Sequence, residues 1–244
     1  MASRRSWVRI PSAPPNELSP EFLHKLMIST RDLSSLPTIE ALKKLTQSLA
    51  MLDAIVQREW EYRYYSFNTK WADGEQMASM RNGQGDGWFC VFGAPGVFLK
   101  GFDHESDMSP WKMEVPKVWP GVLESVPEVF KPCVEEPALS PSETTFCIWR
   151  TQQDTRWNTG NVAYPGGDDP DGSSWMLSIL DGNARTYREW AENYFECSIG
   201  LSPVQQVYEQ KPLTPDLVRE LNASIVLASL LDDASEIGYP VAPS

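Results

Sequence analysis

Apolar residues recur every three or four positions between Ile39 and Val56. Ile39, Leu42, Leu45, Leu49, Leu52 and Val56 therefore share one face of a predicted helix. Pro37-Thr38 precedes it, a rigid entry followed by a capping hydroxyl. The period then changes. Glu59 to Phe67 alternates aromatic and polar residues and reads as a strand, and Glu75 to Arg81 as a second. Trp88 to Phe92 and Val97 to Phe102 are short apolar runs. Turn chemistry separates these segments: Lys70 to Gly74, Asn82-Gly83 with Gly85-Asp86-Gly87, and Gly93 to Gly96. Consecutive strands joined by tight turns predict an antiparallel meander, one face of which the preceding helix must cover.

Beyond the meander, residues 109 to 141 are broken by prolines, with a short helix predicted through Val122, Val126, Val129 and Phe130. Phe146 to Trp149 reads as a further strand. Gly166 to Gly172 reads as a solvated loop, because it is built from Gly, Asp and Pro. From Ser173 the pattern is helical, with segments at 175–180, 184–195, from Pro203, from Thr214-Pro215, and at 225–237. The expected fold class is α+β: an N-terminal helix packed on an antiparallel β-meander, followed by a mostly helical C-terminal half. Residues 27–244 are expected to form one domain, with sublobes near 27–110 and 111–244.

Residues 1–26 read differently. Met1 to Pro15 is basic and proline-rich, without the apolar centre of a secretory signal. Val8-Arg9-Ile10-Pro11 can be encoded by the TTCGAAT loop common in tRNA genes, and Trp7 and Pro15 fall where the flanking stem and terminal CCA belong. The expectation is a non-native or disordered leader from a misplaced start inside a tRNA gene, with Met27 as the natural start. Genomic islands favour such positions.

Composition then narrows the function. The 244-residue chain is 41% hydrophobic and carries a net charge of −12, which becomes −14 without the first 26 residues. Such acidity disfavours nucleic acid, whose binding rests on Lys and Arg, and suits a basic protein partner. No apolar run is long enough to span a bilayer. Cys90, Cys133, Cys147 and Cys197 are widely spread, and His24 and His104 are the only histidines, so no structural zinc spacing exists. Reduced thiols and a cytoplasmic location are expected. Nucleotide, P-loop and nucleophile-elbow motifs are missing, which points away from an enzyme and gives no cofactor and no metal ligands.

The polar residues of interest are Trp71, Glu75, Arg81, Asp86, His104 and Glu105, with Asp103 and Trp111 beside them. On a meander, Arg81, Asp86 and His104 are expected at strand ends on a common exposed rim, where loops present side chains to a ligand or partner. His104 between carboxylates suits a general base, or else a hydrogen bond to its own loop. Pairing it with Cys90 as a thiol nucleophile is disfavoured, since Cys90 lies inside an apolar strand. Asp168 to Gly172 only superficially resembles a calcium loop, lacking its alternation and closing glutamate. The segments Trp60-Glu-Tyr-Arg-Tyr-Tyr-Ser-Phe-Asn-Thr-Lys-Trp71, Gly74 to Gly83 and Lys100-Gly-Phe-Asp-His-Glu-Ser106 resemble a family of uncharacterised bacterial proteins, a likeness running from about Met27 to Pro240. That resemblance implies Met27 as the start and carries no activity. The expected function is a binding protein, an immunity- or antitoxin-like partner of another bacterial protein. The alternative is a small-molecule-binding protein or hydrolase using the His104 loop. Oligomeric state is not readable from the sequence.

Overall fold

The computed structural model describes residues 27–243; the predicted leader and its displaced start lie outside the described residues. Helix α1 runs Ile39–Val56, and the Thr38 hydroxyl accepts a hydrogen bond from the Ala41 amide as its cap. A six-stranded antiparallel sheet follows in sequential order: β1 Tyr65–Ala72, β2 Glu75–Arg81, β3 Gly87–Gly93, β4 Gly96–Phe102, β5 Phe146–Thr151 and β6 Asn158–Thr159. Short helix α2, Lys131–Glu135, lies in the β4–β5 connection. The rest is helical: α3 Ser173–Leu177, α4 Ala184–Tyr194, α5 Leu201–Tyr208, α6 Pro215–Leu221 and α7 Leu231–Ile237. The fold is α+β, with the meander and helical C-terminal half in the expected order.

Alternation along the strands sorts side chains onto two covered faces. Trp88, Cys90, Phe92, Val97, Leu99, Phe146 and Ile148 join the core beneath α1 and the C-terminal helices. That core draws residues from Ile28 to Tyr239. On the opposite face Val91, Phe98, Cys147 and Trp149 pack under the proline-rich segment, through Val122, Phe130 and Leu139.

Three expectations are corrected. Glu59 to Tyr64 is not strand: Trp60–Tyr62 is a 3₁₀ turn and β1 begins at Tyr65. The cause is Asp53 in α1, whose Oδ2 accepts from the amides of Tyr64 and Tyr65 and so sets where the chain enters the sheet. Of the short helix expected around Val122 to Phe130, only a 3₁₀ turn at Glu128–Phe130 forms, and it runs into α2 at Lys131–Glu135, where Pro132 suits a first turn. Finally, Gly166 to Gly172 is no solvated turn at its C-terminal end. Asp171 is 2% exposed. Its carboxylate accepts from the Thr30 hydroxyl and from the Ser173 amide and hydroxyl, while Asp169 accepts from the Ser174 and Trp175 amides and caps α3. Strand β6 was not anticipated, being two residues long.

Candidate functional site

The turn between β2 and β3 fixes Asp86. Asn82 Oδ1 accepts from the amides of Gln84 and Asp86 at 2.8 and 3.1 Å, and Asn82 Nδ2 donates to Asp86 Oδ2 at 2.6 Å. Gly83, at φ 72°, supplies the left-handed residue this turn requires. Gly87 pairs with Phe102 across the β3–β4 ladder, so the chain leaving β4 passes Asp86. There Asp86 Oδ1 accepts from the His104 amide at 2.8 Å and meets His104 Nδ1 at 2.6 Å. Asp86 is 7% exposed and His104 43%. The imidazole is thus held by one ring nitrogen from beneath, and its Nε2 stands 3.9 Å from the exposed Glu105 carboxylate. The hydrogen bond to Asp86 raises the His104 pKa above its ordinary value, with the neighbouring carboxylates adding to the effect and desolvation opposing it.

Asp103 completes the group. Its Oδ1 accepts from the amides of Glu105 and Ser106, and its Oδ2 accepts from Trp175 Nε1 at 2.9 Å. A second loop locks this one in place: Ser106 Oγ donates to Pro170 O at 2.6 Å, and Thr145 Oγ1 donates to Asp171 O at 2.7 Å. Gly172 packs so closely here that a Cβ would come within 2.4 Å of Asp103 Oδ2. The Asp-rich segment set aside as a solvated turn is therefore what positions the site.

The six predicted residues separate. Asp86, His104 and Glu105 come together. Arg81 ends β2 at the same edge of the sheet, but its guanidinium turns away. It lies 3.6 Å over the Trp60 ring, and Nη2 donates to Trp60 O at 2.7 Å. Trp71 and Glu75 flank the β1–β2 turn at the other end of β2, about 20 Å off by strand rise. Glu75 there lines a hollow of about 260 Å³ with Lys43, Thr69 and Gln76. The expected common rim thus holds for Asp86 and His104 but not for Arg81's charged head, nor for Trp71 and Glu75.

Sequence reasoning missed Trp60, Tyr62 and Trp175. Each is more than 40% exposed, as is Trp111; Trp60 lies under Arg81 at the end of β2, Trp175 donates to Asp103, and Tyr62 and Trp111 lie in the 3₁₀ turns Trp60–Tyr62 and Pro110–Lys112. The sequence signal was the count of ten tryptophans, which by itself does not separate core rings from surface rings. All four cysteines are free, and three are buried. Burial pushes the Cys133 thiol up to about 11, and raises Cys90 and Cys147 as well, so a thiolate nucleophile gains no support. Among the described residues no helix is long and apolar enough to cross a membrane. The chain matches no family model, no curated protein and no solved structure.

Proposed function

We propose that this chain is a cytoplasmic binding protein that docks a basic protein through the sheet end carrying Asp86 and His104. One observation carries the reading: Trp60, Tyr62, Trp111 and Trp175 are 41–58% exposed, and Trp175 donates directly to the Asp103 carboxylate. Tryptophan and tyrosine are the residues most often found as binding hot spots, and large rings are otherwise buried. The chain's net charge of −12 favours encounter with a cationic surface. An immunity- or antitoxin-like role, neutralising a basic effector, suits this chemistry.

The test is capture from a bacterial lysate at low and high salt, with the bound proteins identified. A basic protein retained by the wild type, released by salt and lost from Trp60→Ala/Trp111→Ala supports the proposal. Retention of acidic proteins alone, or equal retention by the variant, rejects it.

One observation favours a second reading. Asp86 orients His104 while leaving Nε2 turned to solvent, the arrangement of a general base. A hydrolytic activity abolished by His104→Gln, in a variant that folds normally, would select it.

A further inference from the structure

Asp86, Asp103 and His104 each place one potential ligand atom within 4.8 Å of the others. They come from the loops after β2 and β4, and the β3–β4 ladder joins them. Two features go beyond proximity. The first is charge. Asp86 is 7% exposed, and a buried carboxylate normally has a cationic partner. Among the described residues no lysine or arginine forms an ion pair with Asp86 or Asp103; the imidazole of His104 alone faces them. The second is orientation from outside the group. Asn82 Nδ2 holds Asp86 Oδ2, and Trp175 Nε1 holds Asp103 Oδ2. Outer donors of this kind fix the ligands of metal centres.

We propose that Asp86, Asp103 and His104 bind a divalent transition-metal ion of the Zn²⁺ or Mn²⁺ class. Bonds of about 2.0–2.2 Å place neighbouring ligand atoms about 3–4 Å apart. The 2.6 Å contact between His104 Nδ1 and Asp86 Oδ1 therefore opens slightly while Asp103 draws in. The ion takes the place of the proton shared between that nitrogen and oxygen, and this proton leaves to solvent. One imidazole with two carboxylates suits Zn²⁺ or Mn²⁺ better than Ca²⁺, which seeks six to eight oxygens. Three protein ligands leave positions open for water or for an atom of a partner. The ion does not depend on the partner proposed above, and its test uses the chain alone.

Zn²⁺ and Mn²⁺ are titrated calorimetrically into the full chain, and thermal unfolding is followed with each metal and after chelation. One ion per chain and a rise in Tm that EDTA reverses are expected. Asp103→Asn and His104→Gln, both at partly exposed positions, should each weaken binding at least tenfold, and Trp175→Phe about tenfold through the lost outer donor. Cobalt substituted at the site should give visible absorption without thiolate charge transfer. Absence of saturable binding below about 1 mM, the weak end of specific divalent-ion sites, overturns the proposal. Undiminished binding by His104→Gln, or a thiolate spectrum, does the same.

Discussion

Asp53 and Asp86 are both buried aspartates whose oxygens are filled by backbone and side-chain donors, yet they sit in regions built for different ends. Asp53 is fully enclosed under the sheet: Oδ2 takes the amides of Tyr64 and Tyr65, and Oδ1 takes the Tyr187 hydroxyl at 2.8 Å. Every partner is itself buried, so the carboxyl joins α1, β1 and α4 and communicates with nothing outside. Asp86 has the same kind of support, from the His104 amide and the Asn82 side chain, but its other side-chain partner is a half-exposed imidazole. Burial with filled hydrogen bonds marks a structural node in both cases. Only the path from Asp86 through His104 to solvent marks one of them as a site.

The largest expected effect breaks the interior node. Asp53→Ala leaves two buried amides and a buried hydroxyl without their acceptor, and should cost about 3–5 kcal/mol in denaturant unfolding. Asp53→Asn tests the charge separately. Its amide oxygen can keep both backbone bonds while its nitrogen reverses the bond to Tyr187. Burial raises the Asp53 carboxyl to about 7 from 3.8. A carboxyl raised on folding stabilises the fold fully below its unfolded value, and that contribution is lost as pH climbs to the folded one. Between about pH 4 and 7, wild-type stability should fall relative to Asp53→Asn by a few kcal/mol. A constant difference across that range would mean that Asp53 ionises freely, and that the interior node is not what distinguishes it from Asp86.

A second buried charge sharpens the contrast on the other face of the sheet. Lys100 is 3% exposed, with Nζ donating to the carbonyls of Leu139, Ser140 and Glu143 at 2.5–2.7 Å. Burial lowers its pKa to about 8, so the ammonium keeps its three protons for those carbonyls at neutral pH. Lys100→Met should orphan the three acceptors and cost about 2–3 kcal/mol, read as a shift in denaturant midpoint. Like Asp53, Lys100 has no route to solvent, and the variant should leave the His104 site unchanged by NMR.

These nodes explain where the sequence was legible. The six apolar positions of α1 and the Asn-Gly, Gly-Asp-Gly and Gly93–Gly96 turns are local signals, and they place α1 and strands β2 to β4 within a residue or two. Asp53 and Lys100 were invisible because their partners lie 11 to 134 and 39 to 43 residues away. At the site, Asp86 and His104 could be selected because turn chemistry and strand ends bring them near one another. Asp171 could not: its composition says solvent, and only the Thr30 and Ser173 hydroxyls, supplied by distant folding and by α3, make it interior. Arg81 was legible in position but not in direction, since nothing local foretells that Trp60 will lie under its guanidinium.

The exposed side of the comparison predicts smaller energies and clearer titrations. His104 should titrate above its ordinary value of 6.5 by NMR, and Asp86→Asn should bring it down, because the Asp86 hydrogen bond is the main cause of the rise. A histidine raised on folding contributes stability that is complete below its unfolded value and disappears as pH passes the folded one. Wild type should therefore lose a small increment of stability over His104→Gln as pH rises above about 6.5. An unshifted His104 in the wild type would dissolve the pairing with Asp86.

The smallest effect on the fold belongs to the surface rings. Trp111 is 55% exposed and Trp60 56%, and neither belongs to a buried cluster. Their replacement by alanine should change stability by less than about 1 kcal/mol, where Asp53→Ala costs several times more. On binding the order inverts. A desolvated tryptophan at an interface commonly carries about 2 kcal/mol or more, so each substitution should weaken a docked basic partner about thirtyfold. Trp60 adds a geometric requirement: its ring covers the Arg81 guanidinium, which bonds to the Trp60 and Arg63 carbonyls keep in place, so removing the ring uncovers a positive charge that a basic partner would meet. Trp60→Ala should accordingly weaken such a partner more than Trp111→Ala, and the excess should shrink in high salt, where exposed charges are screened. Equal losses at both positions and at all salt concentrations would show that Arg81 takes no part in binding, leaving the rings alone to distinguish this end of the sheet from the interior.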